Sequence, residues 1–128
     1  MLLDDSREKL SVRAAAGVPY KRPVADAVPL GQGISGWVAM HDQPLMIVPD
    51  NVARFRSTES REIQQAICVP LHLDGHVIGV LNLSLMADSR HTFSADDMHL
   101  AQILADAAAT AIAKAELLEK VSTRTSEL

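Results

Sequence analysis

The chain opens on three apolar residues, Met1 to Leu3, followed by the polar run Asp4-Asp5-Ser6-Arg7-Glu8. Lys9 to Ala16 then alternates, with Leu10, Val12, Ala14 and Ala16 on one face and Lys9, Ser11, Arg13 and Ala15 on the other. A period of two over this stretch predicts two strands paired around a polar turn. Gly17 to Pro29 holds three prolines and reads as irregular connection. From Gly33 to Gln43, residues Ile34, Trp37, Val38 and His41 recur at helical spacing, which predicts a short helix stopped by Pro44. Leu45 to Val48 is a short apolar strand closed by Pro49-Asp50-Asn51, and Asn51 to Gln65 is a polar loop with three arginines.

Two apolar runs, Ile67 to Leu73 and His76 to Met86, are joined by Asp74-Gly75. This dipeptide favours the tight turn whose twist matches a hairpin. A regular ladder from that turn pairs Leu73 with His76, Leu71 with Ile78 and Val69 with Val80. One face then carries Ile67, Val69, Leu71, Ile78, Val80, Asn82 and Ser84, and the other Cys68, Pro70, Val77, Gly79, Leu81, Leu83 and Leu85. Both faces are mostly apolar, so the hairpin is expected to be covered on both sides.

Ser94 begins a final helix, with Asp97 three residues on as the acidic partner of a capping box. Leu100, Leu104, Ala107, Ala108, Ala111, Ala115 and Leu118 follow at spacings of three and four as one apolar stripe. Eight alanines lie between Ala101 and Ala115. Such small residues permit close approach, and Gly79 is expected to meet this helix. Residues 119–128 are polar and read as a linker or an extension of the helix.

Composition narrows the function classes. The 128 residues fit one domain. Hydrophobic residues make up 48% and charged ones 22%, as in a globular rather than a disordered chain. The net charge of -4 leaves no basic excess to neutralise phosphates, and the four aromatics (Tyr20, Trp37, Phe55 and Phe93) form no base-stacking set, so no nucleic-acid partner is expected. The longest charge-free runs, Ala27 to Met40 and Gly75 to Ala87, are too short for a membrane span, and the start lacks the marks of a signal peptide. A single cysteine, Cys68, forms no internal disulfide and fits a reducing, cytoplasmic setting.

Gly33-Ile34-Ser35-Gly36-Trp37-Val38-Ala39, then Gln43-Pro44-Leu45-Met46-Ile47, resembles the middle of a GAF domain. So do Val69-Pro70-Leu71, Asp74-Gly75 with Val77-Ile78-Gly79-Val80-Leu81-Asn82-Leu83, and Phe93-Ser94-Ala95-Asp96-Asp97 opening the alanine-rich helix. Their order and spacing carry the likeness over about residues 28 to 118. The resemblance implies an α/β sandwich of the α+β kind, with a central antiparallel sheet of about six strands, helices on one face and a possible ligand pocket on the other. It also implies a sensory or dimerising module in a bacterial signalling protein, relaying its state through the terminal helix to an output domain such as a histidine kinase. Such domains usually begin with a helix, and this chain starts in a strand. Residues 1–118 therefore read as an N-terminally truncated GAF domain.

Other motifs stand beside this one in the sequence. Gly31-Gln32-Gly33-Ile34-Ser35-Gly36 spells G-x-G-x-x-G, but Pro29 interrupts the strand a dinucleotide site needs, so the glycines read as a tight helix entry. Ser35 is not in a nucleophile elbow, since Trp37 stands where a glycine is required. His72 and His76 fall on opposite faces of the inferred hairpin, so no metal site is expected. The methionine sulfoxide reductases of GAF type need several cysteines, and no acid, base and nucleophile converge here, so neither catalysis nor a cofactor is expected. Candidate ligand-binding residues are Trp37, Met40, Ile47, Phe55, Val69, Val80 and Asn82, the last chosen as a polar member of an apolar face. Arg54 and Arg56 are weaker anion-binding candidates, since Glu59 and Glu62 sit near them. The stripe on the last helix is too narrow to shield a sheet face alone, so a homodimer is expected, burying Ala107, Ala111, Ile112, Ala115 and Leu118. The alternative is a purely structural dimerisation module without a ligand.

Overall fold

The computed structural model describes residues 1–13, 28–48, 63–86 and 90–127. Within them run β1 (Leu2–Leu3), β2 (Lys9–Ser11), β3 (Val28–Pro29), α1 (Gly33–His41), β4 (Leu45–Ile47), β5 (Ile63–Leu73), β6 (His76–Met86) and α2 (Ala95–Glu127). The strands form one antiparallel sheet in the order β3-β2-β1-β6-β5-β4. The long central hairpin β5–β6 thus carries the shorter strands on its flanks. Helix α2 covers one face, and α1 lies on the other.

Local chemistry explains the turns. Asp4 Oδ1 accepts from Ser6 Oγ at 2.8 Å and from the Glu8 amide at 3.1 Å, holding the β1–β2 turn, where Arg7 takes φ 60°. Asp74 and Gly75 both have positive φ (52° and 79°), as the tight hairpin turn demands. Helix α1 ends at His41, three residues before the proline expected to stop it. Asp42 adopts the left-handed conformation (φ 53°), and its amide donates to the Val38 carbonyl at 2.9 Å.

Register is where the hairpin departs from the regular ladder. Leu73 pairs with His76 and His72 with Val77, but Leu71 pairs with Gly79 and Val69 with Leu81. Ile78 is the extra residue of a β-bulge. The Arg7 guanidinium donates to the Val77 carbonyl beside it at 2.8 Å. Because side chains alternate strictly, this single insertion exchanges the faces of everything beyond it on β6. Ile67, Val69 and Leu71 therefore share the α2 side with Leu81 and Leu83, while Cys68 and Val80 share the α1 side with Val77. The expected grouping of Val69 with Val80 and Asn82 is corrected accordingly.

The buried stripe of α2 is also not the expected one. Ala101, Ala105 and Ala109, four residues apart, are buried against Ile67, Val69 and Leu71, with Met98, Ala108 and Ile112 packed beside them. Leu100, Leu104 and Leu118 point away, exposed by 55%, 48% and 69%. The strands supply branched and long side chains across this interface. Only a line of alanines lets the helix approach closely enough to exclude water, so the smallest face turns inward.

At the start of α2 the capping box forms reciprocally. The Ser94 amide donates to Asp97 Oδ2 at 2.8 Å, and the Asp97 amide to Ser94 Oγ at 3.3 Å. The bond from the Ser94 amide, and after it the contact with His91 Nε2 at 3.1 Å, hold the Asp97 carboxyl below the usual carboxylate range. A depressed folded value stabilises the fold above the unfolded one and loses that contribution as pH falls through the folded value. Asp97→Asn is therefore expected to flatten the acid limb of the stability-against-pH curve below about pH 4. Denaturant midpoints measured from pH 2 to pH 7 check this; identical limbs would show that the carboxylate contributes nothing.

Candidate functional site

The face of the sheet beneath α1 holds the candidate residues that the structure brings together. The entry to α1 uses its glycines structurally. Gly31 and Gly33 take positive φ (84° and 63°). A Cβ on Gly36 would lie 2.5 Å from the Pro29 carbonyl oxygen, so glycine lets α1 start against β3. This seats Ile34, Trp37 and Val38 over the sheet, where Leu10, Val38, Ala39, Cys68 and Val80 form a buried cluster.

Polar groups meet at the edge of that cluster. Cys68 pairs across the hairpin with Asn82, and Ala66 with Ser84. Asn82 Nδ2 donates to Ser35 Oγ on α1 at 2.9 Å. Burial pushes the Cys68 thiol up to about 12, with a hydrogen bond to Ser35 acting weakly in the opposite sense. The thiol is therefore protonated at neutral pH and behaves as a small packed side chain. Ser35 and Asn82 thus place neutral donors and acceptors at the exposed edge of an apolar floor.

The predicted site residues divide among several places. Val80 and Asn82 are on the α1 side, as is Ile47, which is fully buried and shares its side of β4 with Leu45. Trp37 is half-buried there and stacks on His41 with ring centroids 4.4 Å apart. Val69 belongs to the opposite layer. Met40 is 62% exposed and turned outward. Phe55, Arg54 and Arg56 lie outside the described residues. On α2, Ala107, Ala111, Ala115 and Leu118 are exposed, whereas Ile112 packs towards the sheet and is not part of that outer face. Ser35, which the sequence marks only as part of the glycine-rich helix entry and not as a nucleophile, bonds Asn82 across 47 residues, beyond any local pattern. Among the described residues, no three His, Cys, Asp or Glu side chains form a group able to hold a metal ion. His72 instead pairs with Asp42 at the end of α1.

A GAF domain family model matches residues 1–113. The chain belongs to the GAF domain family. Among solved structures, residues 122 to 287 of a methyl-accepting chemotaxis protein are 26% identical, with a TM-score of 0.74 over 91% of this chain and 77% of that one. The GAF domain of a phosphoenolpyruvate-protein phosphotransferase from Coxiella burnetii is 18% identical, with a TM-score of 0.76 over 93% of this chain and 72% of the other. No curated protein matches significantly.

The expectation that this GAF domain is not an enzyme is corrected by the same comparison, because free methionine-R-sulfoxide reductases are among the similar structures. The one from Neisseria meningitidis, determined in complex with its substrate, is 25% identical, with a TM-score of 0.58 over 81% of this chain and 61% of that one. The fold thus serves catalysis as well as sensing, and membership of the family does not exclude an activity. No helix among the described residues is long and apolar enough to cross a membrane.

Proposed function

We propose that this chain is the sensory or regulatory GAF domain of a cytoplasmic bacterial signalling protein, pairing with a second copy along α2 and passing the state of its α1 face to an output domain. The observation that carries this reading is the second apolar stripe of α2. Leu100, Leu104, Ala107, Ala111, Leu118 and Val121 recur at alternating spacings of four and three, interrupted at one position by Lys114. That is the period of a coiled-coil seam, and a single polar residue in such a seam fixes its register. Ile112 packs on the sheet, but every residue from Lys114 to Val121 is exposed. The helix therefore carries its seam beyond the domain, towards whatever follows. Similarity to domains of a chemotaxis protein and of a phosphotransferase supports a regulatory setting.

Light scattering at tens of micromolar is expected to give twice the chain mass, falling to one chain mass in Leu104→Lys/Ala111→Lys. A single-chain mass for the unaltered protein would overturn the pairing. The small-molecule part of the reading rests on Ser35, Asn82, Val80 and Ile47, and mass spectrometry of compounds co-purifying with the native full-length protein tests it. The reading without a ligand is favoured by one observation, the dense packing under α1, where Leu10, Val38, Cys68 and Val80 are all fully or almost fully buried. A dimer that carries no compound supports that second reading.

A further inference from the structure

Gln65 is the buried polar side chain among the described residues, 9% exposed, and both ends of its amide are used. Its Nε2 donates to the His91 carbonyl at 3.1 Å, and its Oε1 accepts from the Phe93 amide at 2.9 Å. Both partners are main-chain atoms of the short segment that leads into α2. The same segment is tied forward into the helix, since His91 Nε2 meets Asp97 Oδ2 at 3.1 Å and the Ser94 hydroxyl meets the same oxygen at 3.2 Å. Phe93 packs against the α2-side cluster and stands edge-on to the His91 ring, centroids 6.1 Å apart. One side chain of β5 thus holds the root of α2, in a layer otherwise made of apolar side chains.

We propose that Gln65 and the His91–Asp97 segment form a latch, through which the first turns of α2 detach from the sheet as a unit while the sheet stays folded. The physical basis is a contrast of contacts. Ahead of Ala101, the first of the buried alanines, the root of α2 meets the sheet through Phe93, Met98 and the two Gln65 hydrogen bonds, so polar anchoring there stands beside only two apolar contacts. The amide of Gln65 donates to the His91 carbonyl and accepts from the Phe93 amide, and its removal takes both bonds from the root of the helix. The position also matters for signalling. Ala66, the next residue, faces the α1 side between Ile47 and Ser84. A displacement of β5 on that face moves Gln65 on the other. This last step rests on the proposed small-molecule reading; the latch itself does not.

Amide hydrogen exchange on the whole chain tests the latch without any ligand, so its outcome is independent of whether the α1 face binds one. In Gln65→Leu, protection of the Phe93, Asp97 and Met98 amides is expected to fall about tenfold or more, with Val69 and Val80 unchanged within about twofold. Gln65→Glu gives the sharper result. A protonated carboxyl reproduces the donor and acceptor of the amide, whereas an ionised one repels the His91 carbonyl. Burial raises a carboxyl's pKa, so this variant is expected to be unlatched at pH 7.5 and relatched at pH 5, above the range in which Asp97 titrates. Combining Gln65→Leu with Asp97→Asn is expected to release the same amides no further than Gln65→Leu alone. Uniform loss of protection across the sheet, an unaltered Phe93 amide, or a pH-independent Gln65→Glu variant would each overturn the latch.

Discussion

Replacing Gly79 by leucine is expected to lower the melting temperature by more than about 10 °C. The reason is not the alanine-rich helix. A Cβ at Gly79 would lie 2.2 Å from the Met1 carbonyl oxygen, 2.9 Å from Leu2 Cδ2 and 3.0 Å from Leu2 Cα. The first and third are backbone atoms, and the Met1 carbonyl is bound to the Val80 amide at 2.8 Å. No rotamer of the new side chain relieves a clash that begins at its first carbon. The strand β1 must move off β6, and β2 and β3 reach the sheet only through β1. Overpacking alone costs about 1–3 kcal/mol, and the lost pairing adds to it. Thermal and denaturant melts followed by circular dichroism measure the effect. A melting point within about 2 °C of the unaltered protein would show that the close approach of β1 is not needed.

The same glycine marks the limit of what the sequence made legible. The Asp74-Gly75 turn was readable because a tight hairpin demands left-handed backbone at two successive positions, and few dipeptides supply it. The capping box was readable because its two side chains bond within four residues. The bulge at Ile78 was not. Alternation reveals a one-residue slip only when one face is polar, and here both faces are apolar, so either register satisfies the pattern. Val69 consequently reads as ligand-facing from the pattern, although it packs under α2. A regular ladder puts Val80 and Asn82 on the face of Val69, whereas beyond the bulge their neighbours are Cys68 and Ser35.

Helix α2 failed to be legible for a different reason. Its sequence contains two stripes of helical period, one of leucines and alanines and one of alanines alone. Hydrophobicity favours the leucines as the core face. Volume decides otherwise, because Ile67, Val69, Leu71, Leu81 and Leu83 already occupy the space between the layers. Which stripe turns inward depends on side chains some thirty residues away, which no window along the helix contains. The Gln65 anchor and the Ser35–Asn82 bond are hidden in the same way, since they join residues 26 to 47 positions apart.

Two adjacent residues of α2 are therefore expected to respond in opposite ways to substitution. Ala105 is 1% exposed against β5, whereas Leu104 is 48% exposed on the outer stripe. Ala105→Leu adds three carbon atoms to an interface with no room for them. It is expected to cost about 2–3 kcal/mol and to lower the melting temperature by about 10 °C. Leu104→Lys places an ammonium in water and leaves the inner layer untouched. Measured at protein concentrations low enough to separate the copies, its stability is expected to lie within about 0.5 kcal/mol of the unaltered chain. At tens of micromolar the order of effects changes, because Leu104→Lys removes a seam residue and weakens pairing, while Ala105→Leu leaves the seam in place. Urea melts at two protein concentrations separate the cases. Equal destabilisation by both variants at low concentration would mean that Leu104 is covered within a single chain, and the outer stripe would then be part of the core.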